Sequence, residues 1–190
     1  MVAGVARGLR LDAPPGTSRP LGDRLKEAVF AIVEADLRGR AFLDLFAGSG
    51  GGGIEALSRG ASRAVFVERD PNAIATIARN LHKAGFGDRA VVRRGAALDW
   101  LRSAGRTGGP FGVVLADPPY DDAAALIGVV AEIAAAGPDG ILAGTGVVVA
   151  KHDRRAGPGV GIGLLASVRE RRFGESVVTF LRWTADQEAR

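Results

Sequence analysis

Apolar residues cluster in the middle of the chain as short, almost unbroken runs. The first is Ala41-Phe42-Leu43-Asp44-Leu45-Phe46, the second Ala64-Val65-Phe66-Val67-Glu68, the third Ala90-Val91-Val92. A fourth, Val113-Val114-Leu115-Ala116, and a fifth over Thr145–Ala150 follow. None alternates apolar with polar, so each reads as a strand covered on both faces. Between them the period changes to that of helices. Asp23 opens one with Leu25, Val29, Ile32 and Val33 on a common face. Another runs through Glu55-Ala56-Leu57. A third has Pro71 in its first turn and Ile74, Ile77, Ala78 and Leu81 on one side. A short helix is expected over Leu98–Leu101 and an alanine-rich one over Asp121–Ala136. Strands alternating with helices in this order make a parallel sheet with right-handed crossovers.

The two ends of the chain break that rhythm. Val160–Arg171 and Ser176–Trp183 are rich in strand formers, and Arg172-Phe173-Gly174-Glu175 between them reads as a turn. Two strands without a helix predict an antiparallel hairpin closing the sheet. The expected fold is therefore α/β, a mostly parallel seven-stranded sheet with a C-terminal antiparallel hairpin and a small N-terminal arm. Residues 2–11 read as a short hairpin or extended arm, 12–22 as loop, and the glycine-rich segment 152–163 as loop. Residues 1–22 form the arm and substrate loop, and 23–190 the main domain.

Composition narrows the chemistry. With no cysteine there is neither a disulfide framework nor thiolate catalysis, and two histidines, His82 and His152, make a metal site unexpected. No apolar run approaches the ~20 residues of a membrane span, and the N-terminus lacks the pattern of a signal peptide. A soluble, cytoplasmic, monomeric protein is the expectation. The sequence pI is about 10.3, and only three of the 25 basic residues are lysine. Arginine suits phosphate recognition, although coding bias is the better explanation of the ratio itself. Placement says more: Arg7, Arg10, Arg19, Arg24 and Lys26 gather in the arm and the first helical turn, where the helix dipole disfavours cations. This set suits an anion, with a solvated charged face as the alternative.

Two stretches carry candidate chemistry. Gly48-Ser49-Gly50-Gly51-Gly52-Gly53 follows a strand and opens a helix, formally G-x-G-x-x-G, with Glu68 at the end of the second strand. That is the pattern of a nucleoside-containing cofactor, with glycines allowing close approach and the acid accepting from ribose hydroxyls. Asp44, within the first strand and four residues before the first glycine, would repel a dinucleotide's pyrophosphate and attract an ammonium and a sulfonium; a buried acid bonded to loop amides is the alternative. Asp117-Pro118-Pro119-Tyr120 ends the fourth strand with a carboxylate, a rigid backbone and the only tyrosine.

Asp44-Leu45-Phe46-Ala47-Gly48-Ser49-Gly50, Ile54 to Ala61, Val67-Glu68-Arg69-Asp70 and Asp117 to Tyr120 resemble the Rossmann-like class I S-adenosylmethionine-dependent methyltransferases. With Arg19-Pro20-Leu21-Gly22-Asp23-Arg24-Leu25-Lys26-Glu27-Ala28-Val29-Phe30, they resemble more narrowly the bacterial family that methylates the exocyclic N2 of a guanine in 16S ribosomal RNA. The resemblance covers nearly the whole chain. It implies S-adenosyl-L-methionine held by Asp44, Phe46, Gly48, Ser49, Gly50, Glu68, Arg69, Ala96 and Ala97. It implies catalysis by Asp117, Pro118, Pro119 and Tyr120, and a 16S rRNA substrate within an assembled or assembling small subunit, with Arg7, Arg10, Arg19, Arg24 and Lys26 as the candidate RNA-binding surface. Asp117 and the Pro118 carbonyl would accept the two N–H groups of the amine, and Tyr120 would stack on the base.

The chain departs from that family in four places. Gly51-Gly52-Gly53 replaces Ala-Leu-Gly, predicting a looser first turn. Leu21 replaces a threonine. Ala96-Ala97 replaces Asp-Ala, leaving backbone contacts or Asp99 to meet the adenine. Phe173-Gly174-Glu175-Ser176 stands where Tyr-Gly-Asp-Thr is common. The Asp-Pro-Pro-Tyr tetrapeptide also serves adenine-N6 methyltransferases, so it does not choose the base. A nicotinamide-dependent oxidoreductase with the same glycine loop and a non-catalytic RNA-binding relative are the alternatives of other classes.

Overall fold

A computed structural model of the protein describes residues 1–14, 22–103, 108–119, 122–155 and 161–184. Helices α1 (Asp23–Ile32) and α2 (Glu34–Leu37) precede strand β1 (Ala41–Asp44). The alternation continues with α3 (Gly51–Ser58), β2 (Arg63–Glu68), α4 (Pro71–Ala84), a 3-10 turn over Gly87–Arg89 and β3 (Ala90–Arg94). It runs on through α5 (Ala97–Ser103), β4 (Phe111–Ala116), α6 (Ala123–Ala136) and β5 (Leu142–Asp153). Three further strands, β6 (Gly161–Ile162), β7 (Leu165–Phe173) and β8 (Ser176–Trp183), end the described chain.

The sheet order is β3-β2-β1-β4-β5-β8-β7-β6. The first five of these strands pair in parallel, and β5–β8, β8–β7 and β7–β6 are antiparallel. The sheet thus has eight strands where seven were expected. The extra one, β6, is two residues paired to the start of β7, too short to leave a pattern in the sequence. Likewise β5 is longer than its apolar run, extending through Lys151, His152 and Asp153, because β8 supplies a partner that far along.

Every residue of β1 and β4 is buried. That agrees with their unbroken apolar runs, since helices cover both faces. One face packs Phe30, Phe42, Phe66 and Phe180 with α1, α3 and α4. The other packs Leu43, Val114, Val148 and Leu181 with α5 and α6. From β1 the chain winds out through β2 to β3, then returns to β4 on the other side of β1. This reversal opens a crevice at the carboxyl ends of β1 and β4, where open α/β sheets bind ligands.

Local chemistry fixes the helix ends that frame the crevice. Asp70 caps α4, accepting from the Asn72 N–H at 2.9 Å, Pro71 occupies the first turn, and Gly85 (φ 69°) ends it. Asp122 caps α6, accepting from Ala125 N–H at 3.1 Å.

The arm departs from expectation. Residues 1–14 contain turns and no strand. Main-chain bonds from the Met1 terminus to the Leu9 carbonyl and from Gly8 N–H to the Met1 carbonyl fold the segment back on itself. The buried Glu55 carboxylate accepts from Val2 and Ala3 N–H at 2.9 and 3.0 Å, and Ser58 Oγ accepts from Ala6 N–H at 2.9 Å. Two polar side chains on α3 hold this segment, so no strand partner is required.

Candidate active site

β1 and β4 run side by side with Asp44 opposite Leu115, and β4 and β5 with Ala116 opposite Ala150. One residue further along, Asp117 and Lys151 face each other, and Lys151 Nζ donates to Asp117 Oδ1 at 2.6 Å. β2 extends beyond β1 so that Glu68 reaches the same edge. These ends enclose a cavity of about 370 Å³, within the range of small-molecule sites.

Asp44, Phe46, Gly48, Ser49, Glu68, Arg69, Ala96 and Ala97 all line this cavity, as do Asp117, Pro118 and Pro119. Gly50 does not. It is buried in the left-handed conformation (φ 81°) that starts α3, and a Cβ there would press on Ile54 and Ile77 at 3.3–3.4 Å. Gly50 therefore shapes the loop without reaching the cavity wall. Asp99 is exposed and outside the cavity, so only main-chain groups and apolar contact at Ala96, Ala97 and Leu98 remain for an adenine. Tyr120 and Arg19, both expected at the site, lie outside the described residues.

The first turn of α3 is packed, where looseness was expected. A Cβ on Gly52 would fall 2.6 Å from Leu115 and 2.8 Å from Asp44 Oδ2, and one on Gly53 2.2 Å from the Phe66 ring. Glycine is required here because the helix start lies directly on three strands. The same closeness lets Gly53 N–H donate to Asp44 Oδ2 at 2.9 Å.

Asp44 is 2% exposed. Burial pushes its carboxyl up to about 7 against the Gly53 bond, and the neighbouring Asp117 and Glu68 add to the rise. Burial also raises Asp117, opposed by the Lys151 ammonium. Lys151 thus favours the ionised, hydrogen-bond-accepting form of Asp117. Glu68 is held by three main-chain donors, Gly48 N–H at 2.7 Å, Arg69 N–H at 2.8 Å and Asp70 N–H at 2.9 Å. A carboxylate has about four acceptor positions, so a hydroxyl donor can still be accommodated.

Two residues of the site escaped the sequence reading, and a third was given another role. Lys151 follows an apolar run whose pairing with β4 was not foreseen. Its signal is its rarity, one lysine of three, at a strand end. Asn80 was counted on no face of α4. Fully buried, it donates to the Ser49 carbonyl at 2.8 Å and the Asp12 carbonyl at 3.0 Å, and accepts from Asp12 N–H at 2.8 Å. It fastens the arm to the glycine loop and brings Pro14 to the cavity wall. Lys26 was assigned to the RNA-facing cations but is 6% exposed and lines the cavity. Its helix turn also carries the core residues Leu25 and Val29, which turns the lysine inward.

Arg7, Arg10 and Arg24 are exposed and outside the cavity wall. The segment bearing Arg7 is tied at Ser58, the far end of α3, roughly 12 Å of helix from the glycine loop. Arg24 lies two residues before Lys26, and Arg10 four before Pro14, both of which line the cavity.

These residues fit S-adenosylmethionine. Asp44, buried and close to the open glycine loop, suits the cationic methionyl end. Glu68 lies at the position for a ribose, and the uncharged wall at Ala96 to Leu98 suits a purine. A pyrophosphate would meet Asp44, Glu68 and Asp117 together. Among the described residues no cluster of metal-ligating side chains occurs, and no helix is long and apolar enough to cross a membrane.

YlbH of Bacillus subtilis, named as an rRNA methyltransferase, is 37% identical over 177 residues, covering 92% of this chain and 93% of that protein. Ribosomal RNA small subunit methyltransferase D of Escherichia coli K12 is 35% identical over 122 residues, 63% of this chain and 59% of its own. The structure of the Escherichia coli protein yhhF, named as a methyltransferase, matches with a TM-score of 0.81 at 27% identity, covering 98% of each chain. That of a hypothetical protein from Thermus thermophilus matches with a TM-score of 0.78 at 34% identity, over 95% of this chain and 96% of the other. The family described as Conserved hypothetical protein 95 matches residues 1–182, and by that match over nearly its whole length the chain belongs to this family.

Proposed function

We propose that the protein is an S-adenosylmethionine-dependent methyltransferase that modifies the exocyclic N2 amine of a guanine in small-subunit (16S) ribosomal RNA. The observation that carries this reading is the shared cavity: Asp117 at the end of β4 opens onto the same space as Asp44 and Glu68. A methyl donor held by β1 and β2 therefore lies beside an acceptor on β4. The names of the relatives, rRNA and small-subunit rRNA methyltransferases, support the substrate class.

Methyl transfer from a sulfonium is an in-line displacement, and the amine must present its lone pair to the methyl carbon. In guanine that pair is delocalised into the ring. Acceptors on both N–H groups draw the nitrogen toward a tetrahedral shape and localise the pair. Asp117 supplies one acceptor while its Oδ1 is held by Lys151. The Pro118 carbonyl, on a backbone fixed by two prolines, supplies the other. Tyr120 stacks on a base taken out of its helix. The cofactor, when bound, would supply the methyl group from its sulfonium; the nitrogen held by these two acceptors would become cationic on receiving it and pass its proton to water afterwards. The site works by placement, so Asp117 need not be a strong base.

Arg24, with Arg19, Arg7 and Arg10 further along the arm, provides the phosphate contacts. The substrate is an assembled or assembling small subunit, and the enzyme acts as a monomer. The test is mass mapping of methylated nucleotides in 16S rRNA from cells with and without the protein, with transfer of labelled methyl to undermethylated subunits in vitro. The expected product is N2-methylguanine, absent without the protein and not restored by Asp117→Asn. Methylation at adenine N6 would refute the choice of base, and an unchanged methylation pattern would refute the activity.

A further inference from the structure

Lys26 is a buried cation that the methyl-transfer chemistry does not use. Its side chain is 7% exposed, and its ion pair, with Asp23 of the same helix, is long at 3.8 Å and made to a carboxylate that is 87% exposed. A partner so well solvated offsets little of the cost of burying an ammonium. The lysine points where a ligand would be: it lines the cavity, and its Nζ lies 4.0 Å from the position a Cβ on Gly51 would take, beside the first turn of α3.

The methionyl end of the cofactor carries an ammonium and a carboxylate. Asp44 serves the first and would repel the second. Among the described residues the cavity wall has three cations, Lys26, Arg69 and Lys151. Lys151 is engaged by Asp117 at the methyl-acceptor end. Arg69 follows Glu68, at the ribose end, and is exposed. Lys26 alone sits on the glycine-loop side, where the N–H groups opening α3 add their own attraction for an anion. We propose that Lys26 binds the α-carboxylate of S-adenosylmethionine, so that Asp44 and Lys26 together read the zwitterion, and that it does not bind RNA phosphate. This rests on the cofactor assignment above.

The test compares binding of S-adenosylmethionine with binding of its decarboxylated form by calorimetry, using the full chain. The two differ only in the group that Lys26 would hold. Wild type should favour the intact cofactor by about ten- to a hundredfold, the range of a charge-assisted bond. Lys26→Met should lose that preference while keeping its affinity for the decarboxylated form, and Lys26→Arg should keep most of it. Equal binding of the two ligands by wild type would overturn the proposal without any variant. So would a Lys26→Met protein that still discriminates, and so would one that loses only RNA affinity. A wild-type protein that binds neither ligand would refute the cofactor assignment itself.

Discussion

Asp44 makes a quantitative prediction about pH. Its carboxyl stands at about 7 because it is buried, with Asp117 and Glu68 adding repulsion. The form that attracts a cationic cofactor is the carboxylate, and in the free protein it is lost as pH falls through about 7. If only that form binds, affinity drops tenfold for each pH unit below the midpoint, roughly 25-fold between pH 7.5 and 5.5. Over that range the α-amino group of the cofactor, whose ordinary value is about 7.7–8.0, goes from mostly to fully protonated, which trims the drop by less than about twofold. Calorimetric titration with S-adenosylmethionine at half-unit steps measures the slope. Asp44→Asn should bind more weakly at pH 7.5 and show no slope, whereas Asp117→Asn should keep most of it. A flat wild-type profile, or an equal slope in Asp44→Asn, would refute the reasoning. Stability should move the other way. A carboxyl raised on folding contributes most at pH values below its unfolded value of about 3.9, and that contribution is lost as pH rises through about 7. Asp44→Asn should therefore raise the urea midpoint at neutral pH.

The remaining predictions concern neighbouring positions. Lys151→Met removes the cation that opposes the burial of Asp117. The acidic limb of the single-turnover methylation profile should shift to higher pH, and an unshifted limb would count against an ionised Asp117 as acceptor. Gly53→Ala places a methyl group 2.2 Å from the Phe66 ring. It should lower stability by about 1–3 kcal/mol with an unchanged denaturant slope, and a neutral result would mean that α3 can lift off the sheet. Arg24→Ala should weaken RNA binding and reduce its salt slope by about one; wild-type affinity at every salt concentration would remove this arginine from the interface.

The sheet was legible because β1, β2 and β4 announce themselves locally: apolar runs of strand length, each ending in an acid or running directly into one. Asp44, Glu68 and Asp117 could be placed at one edge because parallel strands put their carboxyl ends together. Pairing between distant strands was not legible. The ion pair of Asp117 with Lys151 depends on the register of β4 with β5, and the buried state of Lys26 depends on how α1 lies on the sheet. Gly52 and Gly53 show the converse difficulty. Propensity marks them as weak helix formers, whereas the contact with Leu115 and Phe66 makes them the residues that fit. The arm misled for a similar reason, since Glu55, Ser58 and Asn80 satisfy its main chain from far along the sequence.

Asn80 joins two segments that are separate in sequence, holding the Asp12 backbone with one set of bonds and the Ser49 carbonyl with another. If a ligand orders the glycine loop and the arm can detach, occupancy of the cofactor site and closure of the arm would share one thermodynamic cycle. A ligand that settles the glycine loop makes it costlier for Asp12 to detach, and by reciprocity anything that clamps the arm tightens the ligand to the same degree. An RNA that engages the arm would in that way act on the methyl donor without touching it, and product release would loosen both together.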